Sequence, residues 1–131
     1  MFMWGDRLLD SKATGYHDWE ASINDTFDAI DKIPRDIVIC DWHYEKMDNY
    51  PSVSIFTSKG FRTVICPWQK ADAAQAFVEY ARNTASENLM GVLSTSWCDS
   101  GDIARYLCGV DEDMEDRPKN VSEVFKHLMK V

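Results

Sequence analysis

Four of the five tryptophans in this chain close a strand-like run: "MFMW" at residues 1 to 4, "IVICDW" at 37 to 42, "TVICPW" at 63 to 68 and "GVLSTSW" at 91 to 97. Each has a polar neighbour in sequence. Asp6 follows Trp4 by two, Asp41 precedes Trp42, Gln69 follows Trp68, and Asp99 follows Trp97 by two. An indole ring at the C-terminal end of a strand presents a broad apolar face and an N–H free to donate a hydrogen bond. Sugars stack their C–H faces on such rings and satisfy their hydroxyls with carboxylates and amides. Trp4, Trp42, Trp68, Trp97, Asp6 and Asp99 are therefore candidates for a carbohydrate-binding cup, and His43 and Tyr44, directly after Trp42, add two groups able to hydrogen-bond a sugar. The competing reading is that the rings fill a core and the acids cap the following helices. Four tryptophans in register favour the cup.

The elements that must carry these residues alternate. After "MFMW" comes a turn-rich segment with Gly5 and Gly15, and then Trp19, Ile23, Phe27 and Ile30 recur at helical spacing up to Ile33-Pro34. "DIVICDW" is a second strand. In "YPSVSIFTSKG", Ser52 is a candidate N-cap of a short helix that Gly60 stops. "FRTVICPW" is a third strand, and Ala74, Phe77, Val78, Ala81 and Ala85 form one face of the longest helical pattern, between residues 71 and 87. "LMGVLSTSW" is a fourth strand. "SGDIARYLCG" reads as a helical turn or two. In "NVSEVFKHLMKV", Asn120 and Glu123 are spaced as a capping box, with Val121, Val124, Phe125, Leu128 and Met129 on one face. The fold class is thus α/β, four consecutive strand–helix units in a single domain over residues 1–131. Parallel strands need crossover connections, and the unalternated runs "IVIC" and "TVIC" suit strands covered on both faces. Two architectures compete, an open doubly wound sheet and half of an eight-stranded barrel. The barrel keeps its functional face at the C-terminal strand ends, where the tryptophans fall, and 131 residues is about half of the roughly 250 that such a barrel needs.

Composition excludes several classes. A net charge of -8, from 14 basic and 22 acidic residues, repels a phosphate backbone, so nucleic acid is not an expected partner. No run approaches the 18 or so apolar residues of a membrane span, and no signal-peptide pattern opens the chain. The chain does begin on apolar residues at once, which reads as if a segment had preceded them. Neither Gly-x-Gly-x-x-Gly nor Gly-x-x-x-x-Gly-Lys follows any strand, so no phosphate-binding cofactor is expected. Cys40, Cys66, Cys98 and Cys108 form no C-x-x-C pair; a zinc site from Cys40, Cys66, Cys98 and His43 lacks the usual ligand spacing. Cys40 and Cys66 each precede a strand-ending tryptophan by two and read as small buried hydrophobes at equivalent strand positions, and spacing alone does not exclude a disulfide.

Together, "MFMWGDRLLD", "DIVICDWHYE", "YPSVSIFTSKGFRTVICPW" and "LMGVLSTSWCD", over roughly residues 1 to 99, resemble the C-terminal half of the catalytic barrel of family 20 glycoside hydrolases, the β-N-acetylhexosaminidases. The resemblance implies strands five to eight of a TIM (β/α)8 barrel, with Trp4, Trp42 and Trp97 walling the pocket of a terminal N-acetylhexosamine and Asp99 holding its hydroxyls, where the family more often has glutamate. Strand seven of the family ends in a tyrosine, with an acid two residues on, and that tyrosine steadies the acetamido group. Here Trp68 and Lys70 stand in that neighbourhood. The family's catalysis is substrate-assisted and uses an Asp-Glu pair at the end of strand four. The resemblance puts that strand ahead of Met1, and the one Asp-Glu dipeptide in the chain lies at 111 to 112 in the acidic run "DEDMED", read as a solvated connector. No catalytic residue is assigned, and the chain alone is expected to be inactive. The alternative is a carbohydrate-binding or scaffold half-barrel with no hydrolytic partner, and a small doubly wound interaction domain is a third reading. Expected partners are a carbohydrate ligand and either the missing N-terminal half-barrel or a second copy.

Overall fold

The computed structural model describes residues 1–84, 86–110 and 114–130. Four parallel strands, β1 (Phe2–Trp4), β2 (Val38–Trp42), β3 (Arg62–Cys66) and β4 (Leu89–Val92), form one sheet in the order β1-β2-β3-β4. The helices are α1 (Ser11–Thr14), α2 (Pro51–Ser58), α3 (Ala71–Thr84), α4 (Ser100–Leu107) and α5 (Asp116–Leu128). A right-handed crossover that always steps to the next strand on the same side leaves each connection on the same face of the sheet. Doubly wound sheets reverse their strand order to place helices on both faces, and this order does not reverse.

Strand alternation divides the buried side chains accordingly. Ile39 packs with Leu8, Leu9, Tyr16, Phe56 and Phe61, and Ile65 with Tyr50, Val53, Phe77, Val78 and Ala81, so this face of the sheet is covered by α2, α3 and the segment after β1. Val38, Cys40, Val64 and Cys66 point the other way into a cluster that contains no helix residue and is touched by Trp42. β2 and β3 are buried on both faces, as their unalternated runs predict, but no helix supplies the cover on this second side. On the uncovered side, apolar groups near the edge strands meet water: Phe2 is 62% exposed, and Trp4 and Leu93 are also exposed. Among the described residues β1 and β4 each pair with one neighbour, so the sheet is open.

Several local expectations also change. The pattern Trp19, Ile23, Phe27, Ile30 does not make one α-helix. The chain instead forms the single turn α1, an irregular stretch bridged to it at Asp10 and Ser22, and a 3-10 segment at Thr26–Asp31. Ser52 is not the N-cap of α2: Tyr50 holds that place and Pro51 fills the first helical position, where its missing N–H has no acceptor anyway. Gly60, at φ +81°, follows the end of α2 as expected. α3 buries Ala73, Ala74, Phe77, Val78 and Ala81; Ala85 lies outside the described residues. α5 starts at Asp116, so Asn120 sits inside it and the Asn120–Glu123 capping box does not form. Pro118 is tolerated because the first turn has no internal acceptors. The 111 to 112 dipeptide is outside the described residues. Cys40 pairs with Val64, not with Cys66, whose partner is Trp42; the same offset pairs Trp4 with Cys40, so the tryptophan ends climb two residues per strand.

Gly5 shows how tightly β1 is seated. A Cβ there would lie 2.7 Å from both Ile39 Cγ2 and Phe56 Cζ, while its N–H donates to the Cys40 carbonyl at 3.0 Å. Gly5→Ala is expected to cost about 1–3 kcal/mol through overpacking, read as a lower urea midpoint at unchanged slope. An unchanged midpoint would show that Phe56 gives way freely.

Candidate functional site

The C-terminal ends of β1 and β2 and the segment after β4 converge on one cavity of about 250 Å³, lined by Trp4, Asp6, Trp42, Tyr44 and Trp97. Alternation explains the selection. Cys40, Trp42 and Tyr44 follow one another at every second position and face the uncovered side, whereas Asp41 and His43 face the helices. Ring contacts knit the wall: Trp4 and Trp97 lie 5.7 Å apart, Trp42 and Tyr44 4.8 Å, Tyr44 and Trp68 5.1 Å, and Trp19 and Trp42 5.4 Å. Trp4 and Trp97 come from opposite ends of the sheet, so their meeting spans its open side.

The polar groups of the cup are mostly spoken for. Trp42 Nε1 donates to Asp6 Oδ1 at 3.2 Å, Trp97 Nε1 to the Tyr44 hydroxyl at 2.6 Å, and Trp68 Nε1 to the Ser96 carbonyl at 2.8 Å. The expectation of free indole N–H groups therefore holds, among the described residues, for Trp4 but not for these three. Asp6 Oδ2 accepts from Arg7 Nε at 2.6 Å, and the same guanidinium donates to the carbonyls of Asp18 and Trp19, which turns it away from the cavity. Burial pushes the Tyr44 hydroxyl pKa up, against the lowering effect of its bonds to Thr95 and Trp97.

Trp97 also stands out in its backbone. Its φ of +52° is left-handed, which a bulky side chain rarely adopts. Such positions cost on the order of 1–3 kcal/mol and persist where the surroundings fix them. Here the fixing contacts are Tyr44, the Trp4 ring and Arg117 Nη1, 3.5 Å from the Trp97 carbonyl.

Other sequence candidates lie outside the cavity lining. Trp68 stacks behind Tyr44, so a tyrosine from the neighbouring strand end reaches the cavity in its place. Asp99 caps α4, accepting from the Gly101 N–H at 2.7 Å, as the capping reading of the acids had it. His43 is 1% exposed beneath the cup and is held on both sides. Its Nδ1 lies 3.1 Å from Glu20 Oε1, and its Nε2 lies 2.9 Å from Ser52 Oγ and 3.3 Å from Asp41 Oδ1. Tyr16 completes the network through a 3.1 Å bond to Ser52 Oγ. Two carboxylates facing the two ring nitrogens favour the doubly protonated form, an imidazolium. Burial acts to lower the His43 pKa, but Asp41 and Glu20 outweigh it and raise the value to about 9. Asp41 Oδ2 is buried with no hydrogen-bond partner. The sequence signal for this network was the Asp41–His43 spacing of two within a strand; nothing in the spacing of Glu20 or Tyr16 announced them.

The cysteines are free, with Cys40 and Cys66 buried on the uncovered-face cluster and burial pushing both thiol pKa values up. Among the described residues no group of three metal-binding side chains gathers. No described helix is long and apolar enough to cross a membrane. Compared with known proteins, the chain matches no family model and no curated protein.

Proposed function

We propose that this chain is the C-terminal half of a TIM-type (β/α)8 barrel of glycoside-hydrolase type, resembling the β-N-acetylhexosaminidases, and that its cup forms one wall of a sugar-binding pocket. The observation that carries the reading is the convergence of Trp4, Trp42, Tyr44 and Trp97 with one carboxylate, Asp6, on a single cavity at the C-terminal ends of parallel strands. That is the face on which such barrels keep their sites. The sequential strand order, the one helix-covered face and the uncovered apolar face support the half-barrel part. The strained backbone of Trp97 supports the functional part. Among the described residues Asp6 is the one carboxylate in the cavity lining, so on this reading they supply binding and orientation but no acid–base pair.

The single carboxylate also favours a second reading, a carbohydrate-binding half-barrel with no hydrolytic partner. The two separate on whether the polypeptide that completes the barrel carries an Asp-Glu pair at the end of its last strand.

Changing Trp4, Trp42 or Trp97 to alanine is expected to weaken binding of a small sugar panel by about 1 kcal/mol or more at each position, as the loss of an aromatic anchor does. Titration followed by NMR checks this. Unchanged affinity in all three variants, with the fold intact by circular dichroism, would sink the pocket reading.

A further inference from the structure

We infer that the cup selects a cationic ligand, and specifically that it takes a protonated 2-amino sugar in preference to the N-acetylated or neutral form. The inference rests on the sugar-pocket reading and names the chemical class within it. Four aromatic rings, Trp4, Trp42, Tyr44 and Trp97, and one carboxylate line the open cavity of about 250 Å³. Aromatic faces carry the negative part of the ring quadrupole, and cages of this composition hold ammonium groups. The hydrogen-bond inventory points the same way. Trp42 and Trp97 spend their N–H groups on Asp6 and Tyr44, which leaves the Trp4 N–H as the one unpartnered indole donor among the described residues of the lining. Both Asp6 oxygens accept one bond each, from Trp42 and Arg7, and an ionised carboxylate has about four acceptor sites, so acceptor capacity remains. A ligand suited to this cup brings donors.

An ammonium with its neighbouring hydroxyls brings only what the cup lacks. An acetamido group carries no charge to set against Asp6 and the ring faces, and a carboxylated sugar sets its own negative charge against Asp6. The Arg7 guanidinium neutralises part of the Asp6 charge, but it is anchored to the Asp18 and Trp19 carbonyls and is not part of the lining. The chain's net charge of -8 adds a long-range attraction for cations.

The test titrates the full chain at pH 6 with glucosamine, N-acetylglucosamine, methyl glucoside, glucuronate and tetramethylammonium, followed by NMR. Glucosamine is expected to bind at least tenfold tighter than N-acetylglucosamine or methyl glucoside, and glucuronate to bind weakest. Raising the pH through the amine's titration, at about 8 by analogy with an α-amino group, should remove the glucosamine advantage. Tetramethylammonium, whose charge is permanent, should keep its affinity over the same range. Asp6→Asn should bring glucosamine within about twofold of methyl glucoside. Equal or tighter binding of the neutral or acetylated sugars overturns the cation preference and leaves the sugar pocket standing. Binding of tetramethylammonium alone overturns the sugar pocket and with it the amino-sugar assignment, and binding of no probe at all overturns the cation preference as well.

Discussion

Replacing His43 with alanine is expected to lower the stability of the fold by about 3–5 kcal/mol, the usual consequence of removing one partner from a buried ion pair. Glu20 and Asp41 are each 2% exposed, and without the imidazolium their charges stay buried with no compensation. Against a typical total of about 5–15 kcal/mol, a loss of that size removes about a fifth at the least and, in a marginal domain, most of what holds it together. The same geometry gives a pH dependence with a definite sign. The folded-state value of about 9 lies above the ordinary 6.5, so the folded chain binds the proton more tightly than the unfolded one. The stabilisation is complete below about pH 6.5 and is lost as the pH rises through 9, roughly 3 kcal/mol in all. The groups around the ring are Glu20 and Tyr16 from the segment after α1, Asp41 from β2, Ser52 and Tyr50 from α2 and its start, and Phe77 from α3. Burial pushes the Tyr16 hydroxyl well above its ordinary range, so among the groups around the ring His43 carries the dependence between pH 6 and 8; above that the buried Cys40 and Cys66 thiols add their own loss of stability. Denaturation at pH 6 and 8, below the range in which unfolded thiols and phenols ionise, checks it: a flat profile for the native chain would mean a neutral ring and would overturn the imidazolium assignment, whereas the His43→Ala variant should be flat over that interval.

At micromolar concentration the chain is expected to form a dimer or higher assembly. Phe2, Trp4, Leu93 and Trp97 leave the uncovered side apolar and wet, and β1 and β4 each carry a free edge among the described residues. Burial of such a surface gains about 25 cal/mol per Å², while repulsion from the net charge of -8 is screened beyond about 10 Å at moderate salt. Burial therefore wins. A complementary half-barrel would serve in place of a second copy, and its addition should dissolve the homo-oligomer. Sedimentation that finds a well-folded monomer at millimolar concentration would remove the main support for the half-barrel.

What the sequence disclosed follows from how local each signal was. The four strands and the parallel order were legible because "IVIC" and "TVIC" are dense β-branched runs separated by helical spacing. α3 was legible because its alanine and phenylalanine stripe repeats over several turns. The first connection was misread because Trp19, Ile23, Phe27 and Ile30 repeat at helical spacing while Glu20, Ala21 and Ser22 between them are buried, so tertiary contacts override the period. In the site, Trp4, Trp42 and Trp97 were found from strand ends, but the removal of Trp68 from the lining depended on Tyr44 stacking in front of it. Asp99 followed a helix start and took the ordinary role of an N-cap. His43 sits one residue from the cup yet faces the opposite side, a distinction that alternation makes once the strand is known to reach that far.

If the cup binds sugar as proposed, the left-handed backbone at Trp97 places stability and recognition in competition at a single residue. Selection for a more durable chain would exchange this tryptophan for glycine or asparagine, which adopt the conformation at little cost. The ring that meets Trp4 and donates to Tyr44 would vanish with it. A lineage that keeps an aromatic residue there is carrying a permanent handicap in its folding equilibrium, and so position 97 is where relaxed selection on binding would first become visible.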